Sequence, residues 1–230
     1  MGWITCCNVL SDLYAMGVVN CDNMLLLLGV AQEMSATERE VCVKLLMEGF
    51  RDCALEANTF IRGGQTVLSP WLMIGGVATS VCTDSEYIMQ VNQNSCALGG
   101  IYFFSGIEGG VSFSSYFFRM MQPSGKLSEN SPNRANYGDV LVLTKPLGTQ
   151  VAVNAYQWMR DQHTFWTQTL RTVTTEDEVR RLFSAATLSM THLNRNGKLI
   201  LFHIPRGINI PDTFTSSALT CLPRDFSSSN

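Results

Sequence analysis

The chain has 230 residues, of which 46% are hydrophobic, 10% aromatic and 15% charged. That composition supports a buried core in one large domain or two small ones, and it excludes a disordered chain or a coiled coil. With 16 basic and 19 acidic residues the net charge is −3, so no partner among nucleic acids or anionic membranes is expected.

In chain order, Thr5–Met16 reads as a short helix with Leu10, Leu13 and Tyr14 on one side and Asn8 and Asp12, one turn apart, on the other. A polar turn, Asn20–Asn23, precedes Met24–Leu28, an apolar run of strand length. Ser35-x-x-Glu38 is a capping box that opens a helix to about Glu56, with Val41, Leu45, Leu46, Phe50, Cys53 and Ala54 as its apolar face. Thr59–Arg62, Thr66–Leu68 and Trp71–Val81 read as strands interrupted by Gly63-Gly64 and by Ser69-Pro70. Segment 90–131 is rich in Gly, Ser and Phe, lacks a helical period and is expected to be irregular. Gly138-Asp139 turns into a strand over Val140–Leu143, and Lys145–Gly148 leads into a helix carrying Val151, Ala155, Trp158 and Met159. A second capping box, Thr175-x-x-Glu178, precedes the stripe Val179, Leu182, Phe183, Ala186 and Met190. Beyond Arg195 the pattern decays into short apolar pieces and a Ser-rich end. Strands and helices mix throughout, which makes the class α/β or α+β.

The eight Cys contain no C-x-x-C pair, and with three His a zinc site is not expected. Reduced, mostly buried thiols fit a cytoplasmic protein. The start shows neither a signal peptide nor a myristoylation signal, and the longest membrane candidate, Cys96–Phe118, is too polar to span.

Four features bear on chemistry. Asp12 is a hard oxygen ligand of the kind Mg²⁺ shares with substrate phosphates, although a solvated or capping Asp has the same spacing. Gly63-Gly64-Gln65-Thr66 lets backbone approach a phosphate or ribose, with Thr66 as a hydroxyl donor, although a plain glycine turn reads the same way. It is neither a P-loop nor a dinucleotide fingerprint. Lys145 before a Pro reads as solvated, and Cys6-Cys7, inside a helix without a nearby His, reads as core. No catalytic residue is singled out.

Four longer runs carry a resemblance. Asn8–Gly17, Cys21–Leu25, Gly63–Trp71 with Gly75–Thr79, and Gly138–Val151 are together similar to selenophosphate synthetase (selenide, water dikinase) of the animal type. The resemblance implies a two-domain fold of the aminoimidazole ribonucleotide synthetase type, present here in part, and a homodimer formed through the first domain with ATP sites at the interface. It also implies the reaction of ATP, selenide and water to selenophosphate, AMP and phosphate. By motif, Asp12 would bind Mg²⁺ and ATP, Gly63, Gly64, Gln65 and Thr66 would contact the nucleotide, and Lys145 stays structural. The implied divisions are 1–89, a partial ATP- and metal-binding domain; 90–131, an insert without counterpart; and 132–230, a partial second domain, atypical after about 195. Met1 corresponds to an internal position of the family, and the metal motif expected after Arg195 is missing. A single Asp does not neutralise a triphosphate, so this chain is expected to be inactive itself. The alternative is a short non-catalytic form that binds nucleotide or dimerises with a full-length subunit. A sister ATP enzyme of the same superfamily is a further reading, disfavoured by Gly63–Thr66 with Pro70-Trp71.

Overall fold

The computed structural model describes residues 1–15, 17–82, 101–107, 110–116 and 145–196. The first helix, α1, spans Gly2–Ala15 and starts three residues earlier than the sequence pattern indicates. It is buried on nearly every side: Cys6, Cys7, Val9, Leu10, Leu13 and Tyr14 all lie in the core, together with Thr5, Asn8 and Ser11. A helix so enclosed needs neighbours on several faces, and α1 has them in the α2 helix (Ala36–Glu56), the β3 strand (Met73–Thr79) and the end of the α5 helix (Glu176–Met190). Gly2 makes the α1–α2 approach possible, because a Cβ there would sit 2.0 Å from the Leu46 carbonyl oxygen. Gly17, at a φ of 78°, closes α1: its N–H bonds the Tyr14 carbonyl while the Val18 N–H bonds that of Leu13. That is the paired pattern of a Schellman stop.

Strand β1 (Asn23–Ala31) is longer at both ends than Met24–Leu28. Met24, Leu26, Leu28 and Val30 are buried, whereas Leu25 and Leu27 on the opposite face are half-buried. The strand therefore sits between two neighbours but has one well-covered face. Helix α2 starts at the predicted capping box, with Ser35 and Glu38 bonding reciprocally. It crosses over to β2 (Ile61–Ser69), which pairs in parallel with β1. Parallel neighbours require such a crossover.

Here the expectation of a break at Gly63-Gly64 is corrected. Strand β2 runs unbroken through both glycines, which pair with Leu25 and Leu26 beside a register shift in β1. Gly64 adopts a φ of 154°, and a Cβ on it would lie 1.8 Å from the Leu26 carbonyl oxygen. Glycine here admits a close strand neighbour and does not end the strand.

Strand β3 pairs antiparallel with β1 on its other side. Part of segment 90–131, expected to be irregular, forms a hairpin: β4 (Ile101–Ile107) pairs antiparallel with β3 and with β5 (Gly110–Tyr116). The Gly- and Ser-rich composition masked the alternation Val111-Ser112-Phe113-Ser114, and pairing to the β3 edge supplies hydrogen bonds that no local pattern reveals. The described sheet has the order β2-β1-β3-β4-β5. The α/β class holds.

The remaining described elements are helical: α3 (Thr149–Arg160), α4 (Thr164–Gln168) and α5. Ala155, Met159, Trp166 and Val179 form one small core, and Val153, Ala186 and Met190 another. The Tyr156 and Phe183 rings stack at 4.0 Å between centroids. The second capping box is formed as expected. Val151 and Leu182, expected in the apolar stripes, are exposed, as are Val41 and Leu45 on α2. Their helices are buried along narrower faces than the hydrophobic spacing indicates. The expected strand 140–143 and everything after 196 lie outside the described residues.

Candidate functional site

Helix α1 presents the first half of the candidate site. Asn8 and Asp12 lie one helical turn apart on one side, with Ser11 beside them. Asn8 is 0% exposed, and neither its Oδ1 nor its Nδ2 has a hydrogen-bond partner among the described residues. Leaving a buried amide unsatisfied costs about 1–3 kcal/mol, and native cores seldom retain one without a reason. Asp12 is partly exposed at the same side of the helix. By contrast the Oδ2 of Asp22, in the polar turn before β1, accepts the Val81 N–H at 2.8 Å and so ties the start of β1 to the end of β3.

The second half lies on β2. Gly63, Gly64, Gln65 and Thr66 are all exposed, on the outer strand of the sheet. Thr66 also borders a groove of about 990 Å³ between β2 and α2, whose walls include Leu26, Val30, Val43, Met47 and Leu68. Among the described residues the two halves belong to elements that do not pack extensively on each other. Helix α1 packs on β3 and α2, whereas β2 packs on β1, which lies between β2 and β3.

Lys145, whose spacing before a Pro reads as solvated, donates its Nζ to the His192 carbonyl at 3.0 Å, beyond the C-terminus of α5, where a cation complements the helix dipole. Cys6 and Cys7 are buried, as expected for core thiols. Their third member was not legible from the residue pattern. Cys53 of α2 places its Sγ 3.4 Å from that of Cys7. The hydrogen bond with Cys53, and burial after it, pushes the Cys7 thiol far up, and Cys53 is raised likewise by its bond with Cys6 and by burial. Burial also raises Cys21 and the Tyr14 phenol. Such thiols stay protonated and are poor nucleophiles.

Among the described residues no three His, Cys, Asp or Glu side chains converge on a metal position. A Mg²⁺ ion does not need such a cage. It takes one or two carboxylates and completes its shell with water and substrate phosphates. The partly exposed Asp12 carboxylate is a hard oxygen of the kind Mg²⁺ accepts, and the buried Asn8 amide lies one helical turn from it. Asn8 was legible in the sequence through its spacing from Asp12, but its burial was not.

A βαβ unit extended by antiparallel strands, with an enclosed first helix bearing the acidic residue, defines a class of domain. Residues 1–82 match the family described as AIR synthase related protein, N-terminal domain. Over most of its length the chain is similar to selenide, water dikinases. It is 44% identical over 195 residues to selenide, water dikinase 2 of Homo sapiens, covering 85% of this chain and 34% of the relative. Against selenide, water dikinase 3 of Danio rerio the identity is 41% over 201 residues, covering 87% and 35%. Against selenide, water dikinase of Dictyostelium discoideum it is 38% over 200 residues, covering 87% and 43%. The chain thus spans about a third of the length of the first two of these relatives.

Proposed function

We propose that this chain is the nucleotide-binding part of a selenophosphate synthetase (selenide, water dikinase), the enzyme that converts ATP, selenide and water to selenophosphate, AMP and phosphate. The observation that carries the proposal is the buried, unpartnered Asn8 amide one turn from Asp12, in a helix within the matched domain. Asp12 would hold Mg²⁺, with Asn8 oriented toward the same ion or its water. Bound Mg²⁺ neutralises phosphate charge and polarises the transferring group. Gly63 allows the β2 backbone close to the nucleotide, and Gln65 and Thr66 offer an amide and a hydroxyl to it.

The separation of Asp12 from Gly63–Thr66 within one chain supports a homodimer with each site built at the interface, Asp12 from one copy facing β2 of the other. One carboxylate holds a metal–nucleotide complex but does not supply the charge clamp of phosphoryl transfer. The chain itself is therefore assigned binding without turnover. The divisions 1–89, 90–131 and 132–230 are part of the same proposal, with the β4–β5 hairpin inside the middle segment. So is a cytoplasmic location, to which the absence of a helix long and apolar enough to cross a membrane among the described residues is compatible. A second reading is a short form that pairs with a full-length subunit. It is favoured by the exposed Val67 and Leu68 of the outer strand.

Calorimetric titration with a non-hydrolysable ATP analogue, with and without Mg²⁺, tests the main reading. Wild-type chain is expected to bind in a Mg²⁺-dependent way, and Asp12→Asn to lose at least tenfold of that affinity. Absence of binding by folded wild type, or equal binding by Asp12→Asn, overturns the assignment. Co-purification of the chain with a full-length subunit decides the second reading.

A further inference from the structure

Three of the four thiols on α1 and α2, Cys6, Cys7 and Cys53, are buried together and take no part in the nucleotide contacts proposed above. Cys7 and Cys53 are separated by 46 positions in sequence, lie on different helices, and bring their sulfurs to 3.4 Å. Cys6, the neighbour of Cys7 on α1, is 0% exposed in the same core cluster as Cys53. By contrast Cys21 bonds to the backbone carbonyls of Asn23 and Thr79, and Cys42 and Cys82 are partly exposed. A disulfide has its sulfurs at about 2.05 Å, so closing the Cys7–Cys53 gap requires a movement of about 1.4 Å.

We propose that Cys7 and Cys53 are a redox pair that closes to a disulfide and covalently clamps α1 to α2. The oxidant is a hydroperoxide, small enough to reach Cys7, which is 4% exposed where Cys53 is 0%. The Cys7 thiolate attacks the peroxide oxygen, forming an S–O bond as the O–O bond breaks and hydroxide leaves. The Cys53 thiol then loses its proton and attacks the Cys7 sulfenic acid. An S–S bond forms, the S–O bond breaks, and water leaves. In total two thiols and one hydrogen peroxide give one disulfide and two waters, and a dithiol reductant reverses the change. Because the hydrogen bond with Cys53, and burial after it, hold Cys7 protonated, the attacking thiolate is scarce, so closure is slow and registers sustained oxidant.

Closure has a structural consequence beyond the clamp. The Cys7 thiol donates to the Thr191 carbonyl at 3.4 Å, which also accepts the Trp3 indole N–H at 2.8 Å. Oxidation removes the first of these donors and leaves the second, so the tie between α1 and the end of α5 loosens as that between α1 and α2 tightens. Asn8 follows Cys7 directly, so the same step displaces the helix that presents Asn8 and Asp12. That last consequence rests on the proposed nucleotide site, while the disulfide does not.

The test is to treat the folded full chain with hydrogen peroxide, alkylate the remaining thiols and map peptides by mass. The expected product links the Cys7 and Cys53 peptides, is lighter by two hydrogens, and disappears on treatment with dithiothreitol. It is expected to persist in Cys6→Ala and to be lost in Cys7→Ala and Cys53→Ala. A wild-type chain whose Cys42 is oxidised while Cys7 and Cys53 remain unlinked overturns the proposal, and so does a crosslink that survives in Cys7→Ala. The readout involves no nucleotide, so it stands apart from the fate of the binding assignment.

Discussion

Gly63 and Gly64 are adjacent in β2, yet they are glycines for different reasons. A Cβ on Gly64 would overlap the Leu26 backbone, whereas one on Gly63 would meet the Leu25 side chain at 3.5 Å, an ordinary contact. Gly64→Ala is therefore expected to destabilise the chain by roughly 2–4 kcal/mol by forcing β2 off β1. Gly63→Ala should change stability by less than about 1 kcal/mol. A thermal melt of both variants checks this, and only Gly63→Ala is then a clean probe of nucleotide contact. Asn8 separates structure from function in the same way. If its amide is retained for a ligand, Asn8→Leu removes an unsatisfied polar group at similar volume and should raise stability by about 1 kcal/mol while weakening Mg²⁺-dependent binding. A loss of stability in the denaturant midpoint would show that the amide serves the fold instead.

At the scale of elements, the capping boxes were the most legible feature of the sequence. Ser35 with Glu38 and Thr175 with Glu178 each form both reciprocal bonds. Ser35→Ala or Thr175→Ala is expected to cost about 1 kcal/mol in denaturant unfolding. The bonds from Ser35, and from Thr175 and Thr174, hold the two glutamates below the usual carboxylate range. A depressed folded pKa contributes stability that is complete above the unfolded value and is lost as pH falls through the folded one. Stability of the wild type should therefore fall on acidification from about pH 5 to about pH 3, and the fall should be shallower in a Glu38→Gln, Glu178→Gln double variant. Melts across that range measure it. Caps are legible because both partners sit within three residues. Strand continuity at Gly63-Gly64 was not, because it depends on Leu25 and Leu26 in another strand. The β4–β5 hairpin escaped notice for the same reason, its anchor being the β3 edge. In the candidate site, Asp12 and Asn8 could be paired by helical spacing, but the burial of Asn8 and the approach of Cys53 to Cys7 are properties of the α1–α2 and α1–β3 packing.

Taken as a whole, the molecule leaves apolar side chains facing outward on two adjacent elements. Val41, Leu45, Met47 and Leu55 of α2 are exposed, and so are Val67 and Leu68 of β2, Leu68 to 62%. The groove between the two elements is walled by Leu26, Val30, Val43, Met47 and Leu68. Scattered exposed leucines are normal, but a contiguous apolar surface beside an outer strand marks an interaction site or an aggregation hazard. The two outcomes differ in stoichiometry. If β2 is the interface that completes the nucleotide site, the chain should sediment as a discrete dimer, and Leu68→Lys should shift it toward monomer by at least tenfold in dissociation constant while leaving the melting midpoint of the chain nearly unchanged. Mg²⁺-dependent nucleotide affinity should fall together with dimer content, because Asp12 and Gly63–Thr66 then belong to different copies. Sedimentation velocity at several concentrations, run beside the calorimetric titration, reads both quantities on the same samples. Heterogeneous, concentration-driven aggregates in wild type, or a Leu68→Lys monomer that binds nucleotide at full affinity, would remove the interface from the proposal and place the whole site within one chain.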